Sequence, residues 1–192
     1  STGSVGGATI NLPRIAYRAA DEKDLYARLD HMMDIAARSL KIKRTVITKL
    51  LNEGLYPYTT RYLGTFDNHF STIGLIGMNE ACQNLFGPDC DLTTTKGQDL
   101  AVKTLNYMRK EIQEIQDKTG HYYNLEATPA EGTSYRLAKK DTERYSDIIT
   151  AGESVPYYTN SSQLPVGFTD DIFVTLDLQD ELQSPYTGGT VL

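Results

Sequence analysis

The stretch FSTIGLIGMNEACQNLFG, residues 70–87, places two kinds of pattern back to back. FSTIGLIG (70–77) is a short, nearly continuous apolar run with β-branched residues, as expected for a strand covered on both faces. Met78 to Phe86 then reads as a helix, stopped by Gly87-Pro88. A buried strand that runs directly into a helix is the building unit of a parallel α/β fold.

The flanking sequence repeats this alternation. Residues 7–16 (GATINLPRIA) are β-branched and apolar and predict a strand ending near Pro13. A long helix is predicted from about Asp21 to Asn52, with Leu25, Leu29, Met32, Met33, Ala36 and Leu40 at helical spacing and Gly54 closing it. From Thr93 to Lys118, Ala101, Leu105, Met108, Ile112 and Ile115 step by four and three, with Thr94 or Thr95 as cap and Gly120 as stop. HYYNLEAT (121–128) predicts a further strand, Pro129 opens a helix through about Asp141, and DIFVTLDLQDEL (171–182) reads as a strand or a strand-to-helix turn. Strands separated by helices imply parallel pairing through right-handed crossovers, so the fold class is α/β.

Length and composition narrow the function. The 192 residues suit one domain with a real core, 40% hydrophobic and 23% charged, with 13 tyrosines and no tryptophan. A net charge of −6 offers no footprint for nucleic acid or anionic lipid. No run approaches the roughly 20 apolar residues of a membrane span, and the N-terminus lacks signal-peptide character, so a cytoplasmic location is expected. Cys82 and Cys90 have neither zinc-pair nor disulfide-scaffold spacing and are taken as reduced thiols.

In a parallel sheet ligands are met at the carboxyl ends of strands, and two polar clusters fall there. NLEATPAEG places Glu126 at a strand end, where a carboxylate serves as general base or as partner for a sugar hydroxyl. Glu131 falls in the first turn of the following helix, where it equally complements the dipole. TNSS (159–162) is either a cradle for phosphate oxygens or an ordinary capped turn. His69 is a base or ligand on one reading and a hydrogen-bonded structural residue on the other. The histidines are scattered, which argues against a metal site within the chain. Cys82, on a predicted helix, reads as a small core residue, and Tyr56, Tyr58 and Tyr62 as packing and rim residues.

Five strings occur here in a fixed order: NLPRIAY, TRYLGTFDNHFSTIGLIGMNEACQNLFG, LEATPAEGTSYRLA, YYTNSSQLPVG and YTGGTVL. In that order they resemble the anaerobic (class III) ribonucleoside-triphosphate reductases, the glycyl-radical ribonucleotide reductases, over essentially all 192 residues. The resemblance implies a ten-stranded α/β barrel of the pyruvate formate-lyase type, with residues 1–192 a single segment forming the C-terminal half of the catalytic barrel. It implies reduction of ribonucleoside triphosphates to 2′-deoxyribonucleoside triphosphates by radical chemistry. The complete enzyme would carry a glycyl radical, installed by an S-adenosylmethionine-dependent iron–sulfur activase, a thiyl-forming finger-loop cysteine and zinc, and would act as a homodimer.

The same resemblance sorts the residues. Neither Cys82 nor Cys90 matches the finger-loop cysteine, and Gly188 and Gly189 do not match the radical glycine. Those elements, the zinc cysteines and the nucleotide-sensing domain are expected outside this segment, which should hold no cofactor and be inactive alone. Glu126 is implied as the pocket carboxylate facing the ribose hydroxyls, and Thr159, Asn160, Ser161 and Ser162 as the loop holding the substrate phosphates. Ser4 aligns near a pocket position that is Asn in some members, and Asn68, His69 and Ser71 are expected beside the pocket. Two alternatives are another glycyl-radical enzyme and a non-catalytic barrel fragment that associates with complementary chains through open strand edges.

Overall fold

The computed structural model describes residues 3–127 and 129–189. The chain runs β1 (Ser4–Asn11), α1 (Leu12–Arg18), α2 (Glu22–Asn52), α3 (Pro57–Tyr62), β2 (Phe70–Ile76), α4 (Met78–Phe86), α5 (Thr95–Thr119), β3 (Tyr123–Ala127), α6 (Gly132–Thr142), α7 (Ile172–Gln183) and β4 (Gly188–Gly189). The strands form one four-stranded sheet in the order β1-β2-β3-β4, each pair parallel. The α/β class and the parallel pairing expected from the alternation are present. No described helix is long and apolar enough to cross a membrane.

Side-chain alternation along the strands separates two faces. Ile10, Ile73, Leu75, Tyr123 and Leu125 point to the face covered by α2 and α5, where they pack with Leu25, Leu29, Met33 and Leu40 of α2 and Leu105, Met108 and Ile112 of α5. Each such aliphatic side chain, fully buried, contributes about 1.5–3 kcal/mol. Both long helices begin on side-chain caps: Asp21 accepts the Asp24 N–H for α2, and Thr94 accepts the Gly97 N–H for α5. Gly120 closes α5 in the left-handed region, φ 69°.

Four expected boundaries move. β1 starts at Ser4 and ends at Asn11, whose side chain accepts the Arg14 N–H and opens a further helix, α1. Pro13 therefore lies in a first helical turn, where its missing N–H is no loss, and the strand expected to end near Pro13 ends at Asn11, with helix from Leu12. The helix predicted from Pro129 begins at Gly132, because Glu131 sits at φ 43°, outside helical geometry. The strand predicted over 121–128 is confined to 123–127, and Thr128 lies outside the described residues. Residues 172–183 are a helix capped by Asp171, which accepts the Phe173 N–H. Its apolar residues do not form one inward stripe: Phe173 is 73% exposed while Gln179 and Leu182 are buried. This mixed pattern made its period ambiguous.

Candidate functional site

The second face of the sheet is built from small and polar side chains. The register aligns Gly7 with Thr72, Thr9 with Gly74 and Asn11 with Ile76, and sets Thr72 beside Asn124. Glu126, two residues beyond Asn124, aligns with Gly188 at the carboxyl end of β3. Glycine at 188 leaves the flank of Glu126 bare; a Cβ there would stand 3.6 Å from the Glu126 Cγ. Asn124 donates from Nδ2 to the Glu126 carboxylate at 3.3 Å, and its own Oδ1 is buried with no hydrogen-bond partner among the described residues. Across the face the Thr72 and Ser4 hydroxyls meet at 2.8 Å. Ser4 thus lies in one polar row with Thr72, Asn124 and Glu126.

The 159–162 segment crosses the carboxyl end of β2 and binds the start of α4 in both directions. Thr159 and Ser161 carbonyls accept the Gly77 and Met78 N–H groups. In return the Glu80 carboxylate accepts the Thr159 N–H at 3.0 Å and the Thr159 hydroxyl at 2.6 Å. Glu80 is 1% exposed, and burial raises its carboxyl above the ordinary range while the Thr159 bonds oppose the shift. Asn160 accepts the Ala130 N–H, Ser161 adopts φ 43°, and the Ser162 hydroxyl meets the Tyr186 hydroxyl at 3.1 Å. Thr159, Ser161 and Ser162 are buried and Asn160 half-buried. The hydroxyls of Thr159 and Ser162 therefore already take part in internal hydrogen bonds.

Beside this segment lies a buried cluster that sequence reasoning did not single out. Asp141 of α6, 0% exposed, accepts hydrogen bonds from Asn11 Nδ2 and the Tyr158 hydroxyl, each at 2.8 Å, and pairs with the Arg14 guanidinium. It ties α1, α6 and the chain entering the 159–162 segment together. Ser134 adds a bond to the Tyr158 carbonyl at 2.5 Å. The one available signal was an acidic residue in the helix following the Glu126 strand, and nothing local distinguished it from a solvated charge. Asn124 and Glu80 were missed similarly: their roles depend on cross-strand register and on a segment 79 residues away in sequence.

Asn68, His69 and Ser71 are not brought to Glu126. Ser71 points to the helix-covered face, where Arg44 of α2 donates to its hydroxyl at 3.2 Å. The same guanidinium donates to the carbonyls of His69 and Phe66. His69 is buried against Phe66, edge to face, and Asn68 is exposed in the loop before β2. Ser71 lies near the amino end of β2, five residues or roughly 16 Å from Ile76 at about 3.3 Å per residue. Glu131 is exposed and outside α6. Cys82 is fully buried, its thiol pushed up to about 12 by burial, and Tyr58 and Tyr62 are exposed. Among the described residues no group of three or more His, Cys, Asp or Glu side chains could hold a metal.

A family model described as anaerobic ribonucleoside-triphosphate reductase matches residues 1–192. The chain is 26% identical to the anaerobic ribonucleoside-triphosphate reductase of Haemophilus influenzae over 98% of its length and 28% of that relative. It is 27% identical to the enzyme of that name from Enterobacteria phage T4, over 98% of the chain and 32% of the relative. Among solved structures it resembles the anaerobic ribonucleotide reductase of Thermotoga maritima with MES in the active site. The TM-score is 0.85 at 25% identity, covering 98% of this chain and 32% of that one. The same enzyme with glycerol in the active site gives a TM-score of 0.84 at 24% identity, covering 98% and 31%. The fold is that of a portion of this reductase barrel, and the chain spans less than a third of the length of these relatives.

Proposed function

Because this chain belongs to the anaerobic ribonucleoside-triphosphate reductase family, we propose that it forms one wall of the substrate pocket of a reductase acting on ribonucleoside triphosphates, with Glu126 facing the ribose. One observation carries this reading. Glu126 stands at the carboxyl end of a parallel strand, on the sheet face that α2 and α5 leave to small and polar side chains. A carboxylate so placed accepts a proton or hydrogen bond from a sugar hydroxyl. The triphosphate lies against the 159–162 segment, whose shape Glu80 and Tyr186 hold.

The remaining parts of the reductase supply what this wall lacks. In this reading they bring the finger-loop cysteine, the glycyl radical, the zinc site and the nucleotide-sensing domain, and complete the ten-stranded barrel. The S-adenosylmethionine-dependent iron–sulfur activase and a second copy of the complete enzyme are its partners, and its location is the cytoplasm.

The test uses the complete enzyme. Glu126→Gln is expected to abolish turnover while the glycyl radical stays detectable by electron paramagnetic resonance. Unchanged turnover would remove Glu126 from the reaction. For the phosphate segment, calorimetry should show weaker ribonucleoside triphosphate binding by the Ser161→Ala, Ser162→Ala double variant; equal affinities would detach the triphosphate from it.

A further inference from the structure

We propose that Asn124 is a second substrate-contacting residue, accepting through Oδ1 a hydrogen bond from the sugar hydroxyl adjacent to the one Glu126 faces. The inference rests on the reading of Glu126 given above and deepens it, because it makes the site a receptor for two neighbouring hydroxyls. Asn124 and Glu126 are two apart on β3 and share a face. The Asn124 side chain is committed on one side only: Nδ2 donates to Glu126, whereas Oδ1 has no partner among the described residues. Asn124 is 8% exposed. A buried amide oxygen without a donor is costly, and native proteins pair nearly all of them.

The neighbours do not supply the missing donor. Thr72, the register partner on β2, meets the Ser4 hydroxyl at 2.8 Å, and Ser4 in turn donates to the Gly6 carbonyl. The Thr72 proton is thereby used within the row. On the other side stands Gly188, which has no side chain and whose added Cβ would come within 3.7 Å of Asn124 Nδ2. Among the described residues none donates to Oδ1, which leaves this acceptor to a hydroxyl of a molecule seated on this face. Asn124 Nδ2 donates to the Glu126 carboxylate at 3.3 Å, so the two side chains lie side by side on one face, with the carboxylate and Oδ1 as two neighbouring acceptors. A ribose offers two adjacent O–H donors, and a 2′-deoxyribose offers one fewer. Asn124 therefore distinguishes the ribonucleotide from its 2′-deoxy counterpart.

The experiment compares binding of a ribonucleoside triphosphate with that of its 2′-deoxy and 3′-deoxy analogues to the complete enzyme, by calorimetry, for the parent, Asn124→Ala, Asn124→Ser and Glu126→Gln. In the parent the ribonucleotide should bind more tightly than either analogue. Asn124→Ala should weaken the ribonucleotide about tenfold, the size of one hydrogen bond to a buried acceptor, while leaving one analogue unchanged. Asn124→Ser, a milder truncation that also withdraws Oδ1, should reproduce the loss and guards against a misfolded alanine variant. Equal weakening of all three ligands, or none, would overturn the inference. If Glu126→Gln alone shows a hydroxyl-dependent loss, the role of Asn124 fails and that of Glu126 stands. If neither variant shows any dependence on the hydroxyls, both readings fail.

Discussion

The Glu80 carboxylate of α4 holds Thr159 by two groups at once, its backbone N–H at 3.0 Å and its hydroxyl at 2.6 Å. Among the described residues no cation pairs with Glu80, and Asn79 Nδ2 at 3.4 Å is its further side-chain donor. A buried carboxylate satisfied by dipoles alone fixes the segment that crosses the end of β2, at the cost of desolvation. The carbonyls of that segment in turn cap α4, so loop and helix position each other.

This latch should give a pH signature. Burial raises the folded-state value of Glu80 above the usual 4.5. The native protein then holds this proton more tightly than the unfolded chain, so the associated stability is complete below the ordinary value and is lost as pH rises through the folded-state value. Glu80→Gln removes the titration. Its melting temperature relative to the parent should therefore climb as pH increases through that window; a difference that stays constant with pH would show that Glu80 does not titrate there.

Removal of the carboxylate altogether has the opposite sign. Glu80→Ala leaves the buried Thr159 N–H and hydroxyl without their acceptor, a loss of about 1–3 kcal/mol per unsatisfied group. Denaturant unfolding should show destabilisation at every pH, with the glutamine variant lying well above the alanine variant.

Asp141→Ala should be among the most damaging polar substitutions in the chain. It strands the Arg14 guanidinium, the Asn11 amide and the Tyr158 hydroxyl around an empty site. Breaking a fully buried ion pair from one side costs about 3–5 kcal/mol, and the 31% exposure of the Arg14 side chain places this loss below that range. Protease resistance of the 129–162 region should fall, and Asp141→Asn, which keeps the shape and one acceptor, should fall less.

Gly97 offers a test of the packing around α5. A Cβ at this position would lie 1.9 Å from the Asp91 carbonyl oxygen. Alanine is the better helix former by about 1 kcal/mol, but overpacking costs about 1–3 kcal/mol. Since the obstacle is backbone, the clash wins, and Gly97→Ala should lower the melting temperature.

The two cysteines should differ sharply under native alkylation. Cys82 is fully buried with its thiol pushed up to about 12, whereas Cys90 is half-buried. Peptide mapping after brief iodoacetamide treatment near neutral pH should find label on Cys90 and none on Cys82, because the thiolate is the nucleophile. Label on Cys82 would mean that α4 opens readily.

Much of this architecture is written in local pattern. The apolar run at 70–77 and the four-three spacing of Ala101 to Ile115 are short-range signals, and β2, α4 and α5 appear where they point. Caps were equally readable, since Thr94 and Gly120 act within one turn of their own helix. The errors came where two local rules compete. Pro13 both ends strands and begins helices, and the Asn11 cap decided for the helix. Val174 to Gln179 alternate apolar and polar like a strand, yet Asp171 caps the stretch as a helix.

The candidate site divides along the same line. From the sequence alone came the parallel α/β class, the carboxylate Glu126 at a strand end and the polar 159–162 segment, all of which depend on neighbours in the chain. Tertiary structure alone decided that Asn124 and Thr72 share a face with Glu126, that Ser71 belongs to the helix-covered face with Arg44, and that Glu80 and Asp141 are buried locks. Those relationships join residues far apart in the chain through strand register and packing. Their energies come from desolvation and partner geometry, which exist only once distant segments have met.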